Sequence, residues 1–234
     1  MRLELSPLLI SLAACGACGG NDATPADAPP ASCTAARPSS SGEGTYYDAD
    51  GTGNCGFPAD ASRMVAAINA ADYGTASWCG GCVRVTGPKG DVTVRIVDQC
   101  PGCAKGDLDL SREAFAQIAD LSAGRVPISW TEVACDVTGP LEFHLKDGSN
   151  AHWTAIQVRN HRYPIATLEA QKNGSYAAIS RVSYNYFVAT SGLGAGPYTL
   201  RVTDTRGHVV EEPNIALGDD VERTGTQQLP MCPP

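Results

Sequence analysis

Positive charge is scarce in this sequence. Its 234 residues carry 17 Lys and Arg against 25 Asp and Glu, a net charge of −8. That balance excludes the basic footprint on which nucleic-acid binding depends. Long apolar runs are missing as well. The leader MRLELSPLLISLAAC is too short to span a bilayer, and no later stretch is a candidate. Cysteine is absent between Cys135 and Cys232, and only one segment, Ser111–Leu121, has clear helical periodicity.

Ten cysteines in all fit an oxidising compartment. The leader ends Leu12-Ala13-Ala14-Cys15, which is similar to the lipobox of bacterial lipoproteins, and a polar Pro/Ala/Ser-rich tether follows directly. We therefore expect a lipoprotein signal peptide over 1–14, lipidation at Cys15, and a flexible tether over 15–41. The expected location is the cell envelope or cell surface, with plain secretion as the alternative. Lipidation of Cys15 leaves nine cysteines, an odd number. Charge is unevenly spread along the rest. Seven basic and thirteen acidic side chains lie between Gly42 and Val137, whereas seven basic and four acidic lie between Thr138 and Gly207. The later half is thus the better candidate for touching an anionic polymer.

The densest chemistry lies in Val97–Ser111, VDQCPGCAKGDLDLS. An alternating run, Asp91–Val97, reads as a half-buried strand that delivers Asp98 to its end, and Val83–Thr86 with a Gly-Pro-Lys-Gly turn makes it one arm of a hairpin. After the Cys-Pro-Gly-Cys turn, Asp107-Leu-Asp109-Leu sends two carboxylates to one face and two leucines to the other. Paired carboxylates at a cleft are the raw material of glycoside chemistry. Turn and cap bonding to backbone amides is the plainer role for such acids, and Asp107 is assigned to it. Ser111 is a suitable N-cap for a helix with Ala114, Phe115, Ile118 and Leu121 on its apolar stripe. Met64–Ala71 reads as one short helical turn, and Ile128–Ala134 as a strand. The glycine-dense Gly42–Gly56 suggests close backbone approach beside a cleft.

After Val137 short strand-like runs follow one another: Leu141–Leu145, Thr154–Arg159, Ile165–Gln171, Tyr176–Ile179, Phe187–Ala189 and Tyr198–Thr203. Asp-Gly, Asn-Gly, Gly-Pro and Arg-Gly turns separate them. This punctuation indicates a β-sandwich. The chain thus divides into a first domain over 42–137, a second over 138–210, and an irregular tail over 211–234.

Gly44-Thr-Tyr-Tyr, Gly53-Asn-Cys-Gly56, Cys79-Gly-Gly-Cys82, Asp98 and Asp107-Leu-Asp-Leu-Ser111 together resemble the barrel domain of expansins. Trp153-Thr-Ala-Ile-Gln-Val-Arg-Asn-His-Arg-Tyr-Pro164, Tyr184-Asn-Tyr-Phe and Val202-Thr-Asp-Thr-Arg-Gly-His-Val-Val210 resemble the carbohydrate-binding domain of the same family. The resemblance runs in order from Gly42 to Val210. It implies a mainly all-β chain, a six-stranded double-psi β-barrel with short helices followed by an immunoglobulin-like β-sandwich. It also implies non-hydrolytic loosening of cell-wall polysaccharide of the cellulose or β-glucan type. The implied partner is plant-type or bacterial wall polysaccharide, with no nucleic acid, a membrane met only through the lipid anchor, and a monomeric state.

By residue matching, Thr45, Tyr47, Asp98 and Asp109 fall in the barrel's polysaccharide groove, Asp109 at the general-acid position of the similar family-45 endoglucanases. The matching base position falls on Ala49, flanked by Asp48 and Asp50 as solvated loop acids, so no catalytic residue is assigned. Where bacterial members carry a tyrosine after the first aspartate, this chain has Cys100. Trp153, Tyr184, Lys146 and His152 mark the platform of the second domain, His152 standing where relatives have a second tryptophan. Tyr186 and Phe187 are placed in the core, and Trp78 and Trp130 are unassigned. Family pairing implies Cys55 with Cys79 and Cys82 with Cys135. Cys100 can pair with Cys103, and Cys33 with Cys232 would join the ends of the mature chain, while Cys18 is unplaced. Two Cys-x2-Cys spacings also admit a metal site, but in an exported protein no metal or cofactor is expected. Glycan cleavage on the same barrel is the alternative function, as an endoglucanase or as a lytic transglycosylase resembling rare lipoprotein A.

Overall fold

The computed structural model describes residues 33–232. The signal peptide, Cys15, Cys18 and most of the tether lie outside the described residues. The last part of the segment expected as tether is folded. Cys33 is bridged to Cys232, the Thr34 amide donates to the Arg206 carbonyl at 2.8 Å, and a strand has begun by Ser40.

Six strands close the first barrel: β1 (Ser40–Tyr47), β2 (Val65–Asn69), β3 (Cys82–Gly87), β4 (Gly90–Cys100), β5 (Leu108–Ser111) and β6 (Val126–Val133), in the order β1-β5-β2-β4-β3-β6. Two of the pairings, β1 with β5 and β2 with β4, are parallel. The expected hairpin is present, with β3 and β4 meeting at Gly87 and Gly90. Val83, Val85, Val94, Ile96, Leu108 and Leu110 fill the interior. Trp78 and Trp130 also belong to this core, as an edge-to-face pair with centroids 5.3 Å apart, and the Trp130 indole donates to the Gly106 carbonyl at 2.7 Å.

One expectation for the barrel needs correction. Met64–Ala71 is mostly strand: all five residues of β2 are buried between β4 and β5, so the segment is apolar on both faces and carries no period-two signal. A helical turn, α1 (Ala70–Tyr73), follows it. The glycine-dense stretch opens with strand β1, where Gly44 makes room for a neighbour, since a Cβ there would lie 2.9 Å from the Ile128 side chain. The helix α2 (Arg112–Ile118) is capped as expected, Ser111 Oγ accepting the Ala114 amide at 3.1 Å.

Eight strands form the second sheet: β7 (Glu142–Leu145), β8 (Thr154–Arg159), β9 (Ile165–Lys172), β10 (Ser175–Arg181), β11 (Phe187–Ala189), β12 (Tyr198–Asp204), β13 (Val209–Ile215) and β14 (Val221–Thr224). Their order is β13-β12-β9-β10-β11-β8-β7-β14. Strand β10 pairs β9 through Ser175–Ile179 and β11 through Ser180 and Arg181, so it belongs to both halves of the sheet. Phe143, Leu145, Ile156 and Val158 from one half share a single core with Leu168, Leu200, Val202 and Val210 from the other. The stretch 211–234 is not simply an irregular tail. Most of β13 and all of β14 lie within it, flanking the sheet on its two edges. Their alternating polar residues and Pro213 hid them, as suits edge strands.

All eight cysteines at 33–232 are paired: Cys33–Cys232, Cys55–Cys79, Cys82–Cys135 and Cys100–Cys103. Loop-closure entropy ranks them by the chain each closes, a sequence separation of 199 for Cys33–Cys232 and of 3 for Cys100–Cys103. Replacing the first pair by serines should lower stability in urea by ~4–5 kcal/mol, and replacing the second by ~2 kcal/mol. Equal losses would contradict the ranking.

Candidate functional site

Strands β1 and β5 run side by side in parallel, with Thr45 opposite Asp109. Leu108 and Leu110 turn into the core, so Asp109 turns outward, and Thr45 Oγ1 donates to Asp109 Oδ1 at 2.6 Å. Burial raises the Asp109 carboxyl above its ordinary range, the Asp98 charge adds to that, and the Thr45 bond and the Arg125 charge oppose it. Tyr47 stands two residues beyond Thr45 on the same strand face. Its hydroxyl is buried, without a hydrogen-bond partner among the described residues. It is pushed far up, by burial first and then by the charges of Asp98, Asp109 and Asp50.

Asp98 reaches this face because the β2–β4 register slips between Ala66 and Ala67, a bulge that re-aims the side chains of β4. Its Oδ1 accepts the amides of Asn54 (2.7 Å) and Gln99 (2.8 Å). Gly53 packs directly on it, and a Cβ there would lie 2.5 Å from Asp98 Cγ. Asp107 does the turn work assigned to it, its two oxygens accepting the amides of Glu43 (2.7 Å) and Ala104 (3.0 Å). The Cys100–Cys103 loop thereby forms one rim of a pocket of about 190 Å³ that also touches Thr45, Glu43 and Arg125.

At the position of a catalytic base stands Ala49, which is buried. Asp50 is held by the Thr52 amide (2.9 Å) and hydroxyl (2.6 Å), and the exposed Asp48 lies 3.3 Å from Arg112. Neither flanking acid is turned to Asp109 by any bond.

In the second domain Trp153 is half-buried at the start of β8, on the strand face shared with Ala155. Tyr186 and Val188 face it from the β11 side. Tyr184 is 39 % exposed, with its ring 5.8 Å from that of Tyr186. Lys146 stands near both tyrosines, and its ammonium is bonded to Asp147, which raises its pKa. His152 is exposed beside Trp153. Phe187 is in the core as expected. Tyr186 is buried as expected too, in a smaller core cluster with Ala155 and Val188, and its hydroxyl lies 2.8 Å from His144 Nδ1. Period-two spacing of Tyr184, Tyr186 and Val188 was the available signal for it.

Groove and platform meet at one residue that the sequence did not mark, Asn54. Its amide holds Asp98, and its Nδ2 donates to the carbonyl of Ser183 at 3.1 Å, the residue before Tyr184. Tyr73 Oη donates to the same carbonyl at 2.6 Å. Among the described residues one cluster has the composition of a metal site, Cys33, His208 and Cys232, but its two sulfurs are bonded to each other.

A family model described as lytic transglycolase matches residues 39–130. Expansin-YoaJ of Bacillus subtilis (strain 168) is 41% identical over 159 residues, 66% of this chain and 68% of that protein. Expansin-like protein 5 of Dictyostelium discoideum is 31% identical over 204 residues, 80% of this chain and 84% of its own. A crystal structure of a mutant Clavibacter michiganensis expansin in complex with cellohexaose superposes with a TM-score of 0.76 at 35% identity, covering 81% of this chain and 97% of the other. The apo form of that expansin gives 0.75 at 36% identity over the same shares.

Asp109 should titrate above the ordinary carboxylate range in carboxyl NMR, and Thr45→Val should move it higher by removing a bond that favours the anion. A raised carboxyl gives stability that is full below the unfolded range and is lost as pH climbs through the folded pKa. Asp109→Asn should therefore gain on the wild type near neutrality in urea titrations, and the gain should vanish below about pH 3.

Proposed function

This chain belongs to the expansin family, and on that premise we propose that it holds wall glucan along one continuous surface and loosens it without cutting. The observation that carries this reading is the Asn54 link, which sets the carboxylates of the barrel next to the tyrosines of the second sheet. Trp153 and Tyr184 stack on pyranose faces, each contributing on the order of 1 kcal/mol beyond area burial. Thr45, Asp98 and Asp109 exchange hydrogen bonds with sugar hydroxyls, Tyr47 packs beside them, and Lys146 and His152 border the track. The relative from Clavibacter michiganensis, bound to cellohexaose, supports a β-glucan as the ligand.

Chain cleavage by inversion needs a second carboxyl ~6.5–9.5 Å from the acid with water between. Asp109 is acid-like, but the base position holds buried Ala49 and the neighbouring acids are bonded elsewhere. The match of 39–130 to the lytic transglycolase model favours peptidoglycan cleavage as the second reading. The protein acts after export, as a monomer, tethered to the envelope through a lipid on Cys15.

Incubation with amorphous cellulose should release no reducing sugar, and incubation with sacculi should release no muropeptide. Steady release of either would replace loosening by cleavage. Trp153→Ala should weaken retention on cellulose by roughly tenfold, the loss of one stacked aromatic with its area. Unchanged retention would remove the platform from the reading.

A further inference from the structure

Beside the junction, away from the groove, lies a depression of about 500 Å³ with two arginines in its wall. Arg37 comes from the segment before β1. Its guanidinium lies 4.0 Å from the centroid of a Trp78 ring and donates through one Nη to the Ser77 carbonyl at 3.1 Å. Arg181 ends β10. It lies 4.6 Å from the Phe187 ring centroid, donates to the Ala76 carbonyl at 2.9 Å, and bonds the Ile165 carbonyl. Rings and carbonyls therefore hold both side chains in place. Arg37 Nη1, Arg181 Nε and Thr205 Oγ1 are buried without hydrogen-bond partners among the described residues.

Carboxylates attend one arginine of the depression and not the other. Glu132, buried, lies 3.7 Å from Arg37 and 3.5 Å from Arg206, and the Asp72 charge also favours the Arg37 cation. Arg181 has no carboxylate within 4.0 Å among the described residues. Burial lowers its pKa to about 10, and the Arg37 charge is the next cause. Two like charges in a part-buried site favour an incoming anion, and guanidinium edges suit a planar carboxylate. Hydroxyls of Thr75, Ser77, Ser180 and Thr205 line the same space. A carboxylate flanked by hydroxyls is the chemistry of a uronic acid.

We propose that this depression is a second saccharide site, which takes a uronic-acid residue of an acidic polymer. The proposal rests on the polysaccharide-binding reading and extends it to a second class of chain. Arg181 pairs with Phe187, which faces the core, whereas Tyr186 faces the platform, so the site opens on the other side of the junction strand from the glucan track. One molecule can thus touch a neutral and an acidic polymer together.

Calorimetric titration of the intact protein with tetragalacturonate, its full methyl ester and cellohexaose tests this. The acid oligomer should bind, and the ester should bind at least roughly tenfold more weakly, as loss of charge-assisted hydrogen bonds requires. Arg37→Gln and Arg181→Gln should each weaken tetragalacturonate by about tenfold and leave cellohexaose within about twofold. Equal affinity for acid and ester, or full affinity in Arg37→Gln, overturns the site. Arg181→Gln also cuts ties to Ala76 and Ile165; should it fail to fold, the ester comparison and Arg37→Gln decide alone. Cellohexaose binding without tetragalacturonate binding overturns the site and keeps the glucan reading. The reverse result keeps the site and overturns the glucan track.

Discussion

One carbonyl oxygen takes two of the hydrogen bonds that join the two halves of this protein. The Cys55 carbonyl accepts Gln157 Nε2 at 2.8 Å and Asn185 Nδ2 at 3.2 Å, both donors being buried side chains of the second domain. Leaving a buried amide unpaired costs roughly 1–3 kcal/mol, so separating the halves here without water to replace the bonds is expensive. The acceptor is itself fixed, since Cys55 is bridged to Cys79, and Gly56 turns the chain in the left-handed region at φ +67°. That turn also brings Asn54 against Asp98 and Ser183. This cluster ties the segment before Tyr184 to the loop that holds Asp98.

The barrel was legible where its chemistry alternates. Asp107-Leu-Asp109-Leu told which way each side chain points, and the structure puts the two leucines inside and Asp109 in contact with Thr45. Strand β2 was illegible because both its faces are buried, which erases the alternation that marks a strand. Strands β13 and β14 were missed for the opposite reason: at sheet edges, polar residues and a proline are tolerated, so the segment read as irregular. Thr45, Asp98 and Asp109 were named by matching residues to a family pattern, and the structure brings Thr45 and Asp109 into contact. Asn54 stood inside the matched Gly53–Gly56 stretch, but its role depends on a contact across 129 residues of sequence.

The same geometry explains why a hydrolase-like barrel grips. Asp109 carries the burial that a general acid needs, and its only close side-chain bond is to a neutral hydroxyl. Asp98 carries charge nearby, yet one of its oxygens is spent on two backbone amides that shape the junction. An acid fixed by the fold in this way serves as an acceptor of hydrogen bonds more readily than as a base that must move a proton. Gly53, packed on Asp98 with no room for a Cβ, holds the carboxylate in that structural duty.

Arg37 shows how far the folded unit extends beyond the barrel it precedes. Cys33 is tied to Cys232, Thr34 to Arg206, and Arg37 to Ser77 and the Trp78 ring, so the strap before β1 touches both domains. A strap held only by the disulfide would not need a guanidinium stacked on an indole. Its charge stands near that of Arg181, which the fold tethers to carbonyls from both domains, Ala76 and Ile165. Because burial and mutual repulsion both work against these cations, the ties that hold them together must exceed that cost. The placement of these two cations is therefore a property of the folded junction, with Arg181 on the face of its strand that carries Phe187.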